Sequence, residues 1–306
     1  MKAAAFTKTG LFEDATLEQR RRVIAFSLRY MVTHMAILEK LYSSHEYCKA
    51  SNNEAAASAL DAAAAYAIGS MEGVEDGGSF DGNLLFMLAK RMCVHFGTCA
   101  ATNNAKVNEH IVSLFYAGQG EVEAGVSLFW SRDRKSISVF PTSEPCSHFI
   151  FFFPLQACES LMKTITEIET DLLVPLIQGM LFASLENELS IGPKIASDGL
   201  FPEGYVLSQS ILPLINDAST SSAKDIENVM VGGFPNVIAS SVDHQKVLLA
   251  VKNALPNMGV DCEQVGSIAG RSLCTGLLSI SPASGTASTW FAASTIFASI
   301  VMTFIL

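Results

Sequence analysis

The sequence has no CxxC pair, no GxSxG elbow, no P-loop, no HExxH and no glycine-rich dinucleotide fingerprint. The first absence argues against a thiolate zinc centre or a thioredoxin-type site. The others remove the usual hydrolase, nucleotide-binding, zincin and Rossmann readings, and we expect no catalytic activity. His45-Glu46 is followed by Tyr47-Cys48, without the second histidine a zincin needs. Charge is also scarce, at 16% of residues, and basic residues (20) are fewer than acidic ones (30). The basic residues are scattered apart from Arg20-Arg21-Arg22. Nucleic acid calls for a positive stripe, so we expect no such partner. A net charge of -10 instead favours cations.

With 306 residues, 49% of them hydrophobic, the chain is long enough for a large core and too apolar for disorder. The seven cysteines, Cys48, Cys93, Cys99, Cys146, Cys158, Cys262 and Cys274, are widely spread. In an oxidising compartment this spread predicts disulfides, with one cysteine unpaired or paired outside this chain; in a reducing one the same cysteines would be free buried thiols. The C-terminus supports that compartment. Residues 290–306 carry no charge and follow a spacer, 279–289, rich in Ser, Ala, Gly and Thr. Small residues, a polar spacer and a terminal apolar tail predict a lipid-anchor (GPI) signal or a short membrane anchor. Residues 1–10 have no apolar leader core, so we expect this chain to lack its authentic N-terminus.

Helical periodicity dominates, and the fold class expected is mainly α: two packed helical halves (1–145 and 146–278), one short β-hairpin and the C-terminal anchor. Thr16 and Gln19 form a capping box before a stripe of Ile24, Leu28, Met31, Met35, Leu38 and Tyr42. Asn52 or Asn53 caps an alanine-rich helix that Gly69 stops, and alanine on nearly all sides predicts burial. A third helix ends at Gly97 and a fourth near Gly118. Period-two alternation in 126–141 predicts the hairpin. Leu161, Ile165, Ile168 and Leu172 stripe a long helix that Pro175 should kink or end. Further helices are expected at 203–216, 222–231 and 241–254.

The chemistry-bearing candidates are oxygen-rich residues in apolar surroundings. Asp61 lies within the alanine-rich helix, where a carboxylate needs a cation or a partner such as Arg91. Glu54 and Asp61 share an azimuth, and Glu72 joins them if the helix continues. Tyr66 lies at the same end. Arg91 and His95, four apart, share a face and offer an anion holder and a ligand. Glu203 and Tyr205 open a helix in the second half. Carboxylate and phenolate oxygens are hard donors that suit ferric iron. Each residue also has a plainer role: a salt bridge for Asp61, a helix-end cation for His95, core tyrosines at Tyr66 and Tyr205, a solvated loop for Glu72.

Three segments carry a resemblance: Leu60-Asp61-Ala62-Ala63-Ala64-Ala65-Tyr66-Ala67-Ile68-Gly69-Ser70-Met71-Glu72-Gly73; Leu88-Ala89-Lys90-Arg91-Met92-Cys93-Val94-His95-Phe96-Gly97-Thr98-Cys99 with Val107-Asn108; and Glu203-Gly204-Tyr205 with Leu212-Pro213. They resemble the algal low-iron-inducible periplasmic (iron-assimilation) proteins, which include the phytotransferrins of diatoms. The resemblance is clearest over about residues 55–120. It implies a cell-surface or periplasmic protein, held at the plasma membrane, that acquires ferric iron together with carbonate as synergistic anion. On local chemistry the expected ligands are Asp61, Tyr66, Glu72 and His95, with Arg91 at the anion and Glu203 and Tyr205 as second-half ligands. The rival expectations are a tethered structural or adhesive protein without metal, a surface enzyme with scattered site residues, and a haem-binding variant.

Overall fold

The first helix opens at a capping box. Thr16 Oγ1 accepts from the Gln19 amide at 3.1 Å and Gln19 Oε1 accepts from the Thr16 amide at 2.8 Å. These bonds satisfy two of the free amides at a helix start. A computed structural model describes residues 12–69, 84–130, 153–189, 200–232 and 242–274. Helix α1 (Leu17–Phe26) passes through a π-helical turn (Ser27–Val32) into α2 (Thr33–Lys49). The Asn52 side chain caps α3 (Asn53–Ile68), and α4 (Leu85–Phe96) ends at Gly97 in the left-handed region, φ 69°. Then come α5 (Lys106–Trp130), α6 (Phe153–Leu189), α7 (Leu200–Ala218) and α8 (Thr220–Ile226), the last continued by a second π turn (Glu227–Val231). Helix α9 (His244–Met258) and the short α10 (Cys262–Val265) precede a two-stranded antiparallel hairpin, β1 (Ser267–Ile268) and β2 (Arg271–Ser272). The mainly helical fold is as expected.

Helix α6 is the axis of this bundle. Its predicted stripe Leu161, Ile165, Ile168 and Leu172 is buried, and beyond it Leu173, Val174, Leu176, Ile177, Met180 and Leu181 are buried too. α2, α4, α5, α7 and α9 all pack on it. Pro175 lies inside α6 without ending it, in the stretch where the helix is buried on all sides. By length and composition Ala157–Leu189 is apolar enough to cross a membrane, but 78% of its most apolar window is buried inside the protein. Because α2 and α5 both lie on α6, the halves expected on either side of residue 145 share one core.

Three expectations need correction. Residues 126–130 continue α5 rather than forming a strand; the rest of the predicted hairpin, 131–141, lies outside the described residues, and the hairpin present is at 267–272. Gly118 does not stop α5, because it serves close packing: a Cβ there would lie 3.1 Å from Leu60 Cδ2 on α3. The first helix also turns a different face inward. Leu28 and Met35 are each 44% exposed, while Val23, Ser27, Tyr30, His34, Ile37, Leu41, Ser44 and Cys48 are buried. That buried set has the same four-three spacing, one residue earlier. It is pinned by a disulfide from Cys48 to Cys158 on α6 and by a 2.8 Å bond from Ser44 Oγ to the Ala56 carbonyl.

Two further disulfides, Cys93–Cys99 and Cys262–Cys274, close short loops, as the spread cysteines predicted. The remaining cysteine, Cys146, the loop with Glu72, the spacer 279–289 and the tail 290–306 lie outside the described residues.

Candidate oxygen-donor and anion site

The inward turn of the first helix places Tyr30 against two of the residues singled out from sequence. The Tyr30 hydroxyl donates to Glu203 Oε1 at 2.6 Å. Arg91 Nη2 donates to the Tyr30 oxygen at 3.0 Å and lies 3.4 Å from Glu203 Oε1. A phenol, a carboxylate and a guanidinium thus meet from the π turn, α7 and α4. Glu203 is mostly enclosed (side chain 15% exposed) and Arg91 is half open (53%), so the cluster faces solvent on the arginine side. A half-exposed ion pair adds little stability. The Tyr30 phenol is held well above its ordinary pKa, by burial first and by the Glu203 charge second. The Phe26 ring stacks parallel to the Tyr30 ring at 6.0 Å and carries the Arg29 guanidinium at 5.7 Å.

The local sequence explains the placement. Tyr30 lies within the π-helical turn, a wider turn often found at functional sites. Glu203 is in the first turn of α7, where the helix dipole favours a carboxylate. Gly204, beside it, allows close approach: a Cβ would lie 2.8 Å from Ala183 Cβ on α6 and 2.9 Å from Met230 Cε in the second π turn. Both π turns therefore pack on α7. Gly204→Ala is expected to cost about 1–3 kcal/mol by overpacking, read as a lower urea midpoint at unchanged slope.

The other predicted residues fall elsewhere. Asp61 is exposed on α3 and accepts from Gln119 Nε2 at 2.6 Å; the guanidinium proposed as its partner goes to Glu203 instead. Asp61 and Gln119 border a shallow groove of about 160 Å³ lined by Ala64, Ile68, Phe115 and Tyr116. Tyr66 is exposed on the same helix. His95 is exposed at the end of α4, its ring 4.3 Å from that of Phe182. Tyr205 is buried edge-on against Phe12 at 6.2 Å, a core position. Of the residues named from sequence, the structure brings together Arg91 and Glu203.

Searches of protein-family models, curated proteins and solved structures give no match. What the site can do therefore follows from its own chemistry. Among the described residues no three His, Cys, Asp or Glu side chains gather as a metal-holding group. A donor set that includes a phenol and an arginine falls outside that description. Among the described residues, two other clusters join a tyrosine or a histidine to a carboxylate of α6. Tyr42 donates to Glu169 at 2.7 Å, and His110 Nδ1 meets the buried Asp171 at 2.6 Å, with Gln264 on its other oxygen at 2.9 Å. Neither includes a guanidinium, so neither pairs oxygen donors with an anion holder.

Tyr30 is the residue that sequence reasoning missed. A signal for it exists. Ser27, Tyr30, His34, Ser44 and Cys48 follow helical spacing within an apolar helix, and polar groups at core spacing require partners. The brighter stripe one residue later hid that pattern.

Proposed function

We propose that this is a cell-surface iron-binding protein for iron acquisition, taking ferric iron with carbonate at Tyr30, Glu203 and Arg91. The observation that carries the reading is the convergence of a phenol and a carboxylate on a half-open guanidinium. Ferric iron is a hard cation, and phenolate and carboxylate are hard donors. Arg91 would hold carbonate through its planar donors and offset its charge. The resemblance noted in the sequence, the acidic balance and the disulfides support the same reading. Membrane attachment would come through the C-terminal tail.

Binding must expel the Tyr30 proton, since a ligand has to be deprotonated. The Tyr30–Glu203 bond is then replaced by two bonds to metal. Acid opposes this exchange by returning protons to phenolate, carboxylate and carbonate, so affinity should fall as pH drops from 7 to 5.

A second reading is favoured by one observation: Tyr30, Glu203 and Arg91 already bond one another, with the phenol between the carboxylate and the guanidinium. A tethered structural or adhesive protein without metal would use the cluster only to tie the π turn, α4 and α7 together. The deciding experiment is ferric titration of the disulfide-intact protein with and without bicarbonate. The iron reading expects tight binding that needs bicarbonate and fails near pH 5. No binding in either condition leaves the structural reading.

A further inference from the structure

His244 is the first residue of α9 and is fully buried. Its Nδ1 lies 2.7 Å from Ser184 Oγ on α6, and that hydroxyl also donates to the Leu181 carbonyl at 2.8 Å. A carbonyl only accepts, so the single serine hydrogen points to Leu181 and Nδ1–H donates to the serine oxygen. Nε2 is then a bare lone pair, and it is buried without a hydrogen-bond partner. A proton added there would create an imidazolium with one N–H unsatisfied.

The surroundings also disfavour that cation. Burial acts first, and the Arg271 guanidinium of β2 second; the cap residue Asp243 partly offsets them, and together they lower the imidazole to about 4. The amino end of α9 adds the positive end of its dipole. From α6 the group facing it is the neutral Ser184. At the surface, Lys246 of α9 is 3.1 Å from Asp225 of α8. Helix α9 packs on α6, α7 and α8.

We propose that the seat of His244 is an acid-opened catch: taking up a proton at Nε2 unseats α9 from α6 and α7. The direction follows from linkage. An opened α9 exposes an ordinary histidine that binds protons below about pH 6.5, whereas the seated one stays neutral until about pH 4, so the seated state is favoured above 6.5 and loses ground as pH falls toward 4. Between pH 7 and 5 one such histidine shifts the opening equilibrium by about twentyfold. One consequence rests on the iron reading. Ser184 adjoins Ala183, which encloses Gly204, so loosening α9 relaxes the support behind Glu203.

The test uses the full, metal-free, disulfide-intact chain, so that its outcome does not depend on whether the protein binds iron. Amide exchange is followed by mass spectrometry at pH 7 and pH 5 and expressed as protection factors, which remove the intrinsic pH effect. The expected result is about a twentyfold loss of protection across α9 in the wild type, and a loss several-fold smaller in His244→Gln. Equal losses in both proteins, or a wild-type change below about twofold, would overturn the proposal. If His244→Gln does not fold, the wild-type imidazole is titrated by nuclear magnetic resonance together with the exchange measurement. Inflection below about pH 5 with selective loss in α9 supports the catch; inflection near 6.5 or unselective loss rejects it.

Discussion

Tyr30→Phe is expected to weaken ferric binding on the order of a hundredfold or more, because even outer-shell losses at metal sites cost about 10–100-fold and this one would remove a proposed ligand. The substitution deletes one oxygen and leaves the ring, its stack on Phe26 and the helix intact. In the metal-free protein the loss is smaller. Glu203 gives up one short hydrogen bond but keeps Arg91, so stability should fall by about 1–3 kcal/mol. Glu203→Gln should weaken ferric binding similarly, because it would remove the negative charge of a proposed ligand. Arg91→Gln should act differently: residual binding should lose its dependence on bicarbonate, since in the proposed site the guanidinium would hold the anion rather than the metal. Asp61→Asn is the control. Its carboxylate is exposed and bonded to an amide, and it should change ferric affinity less than about twofold. The readout is affinity together with the visible charge-transfer band of an iron–phenolate bond. If Tyr30→Phe keeps both while Asp61→Asn loses them, the site includes Asp61, as expected from the sequence with Tyr66, Glu72 and His95. If none of the variants alters affinity, the cluster is a structural tie.

That contrast shows what could be read in advance and what could not. Periodicity found α6 because its buried residues stay apolar for several turns, and Gly97 marked the end of α4 because a left-handed residue is required there. Arg91 and Glu203 were singled out as polar groups beside apolar runs. Their meeting was invisible, since it joins residues 112 apart through a third group on another helix. Asp61 misled for a definite reason. Alanine on every side is compatible with burial but does not require it, and α3 presents Asp61 and Tyr66 outward. The first helix misled because two adjacent stripes share one spacing, and hydrophobicity chose the brighter. Its true azimuth is set by long-range ties, Cys48–Cys158 and Tyr30–Glu203.

The Cys48–Cys158 disulfide should be the largest single contributor to stability that substitution can isolate. It spans 110 residues, against 6 for Cys93–Cys99 and 12 for Cys262–Cys274. In the chain-entropy account the long loop is worth about 4–5 kcal/mol and the shortest about 2 kcal/mol. The double variant Cys48→Ala/Cys158→Ala also trades two buried sulfurs for smaller groups at the contact of α2 with α6, which adds to the loss. We therefore expect a fall in melting temperature of roughly 10–20 °C, and less than half of that for Cys93→Ala/Cys99→Ala. Denaturant unfolding of each double variant beside the oxidised parent checks the order. Equal losses would mean that loop entropy is not the source of the effect. The expected order has a consequence for the site as well. The long disulfide holds α2 at one azimuth on α6, and α2 is continuous with the turn that carries Tyr30. Losing the bridge should therefore weaken ferric binding in the folded protein, whereas opening the Cys262–Cys274 loop, remote in sequence from Tyr30, should leave it nearly unchanged.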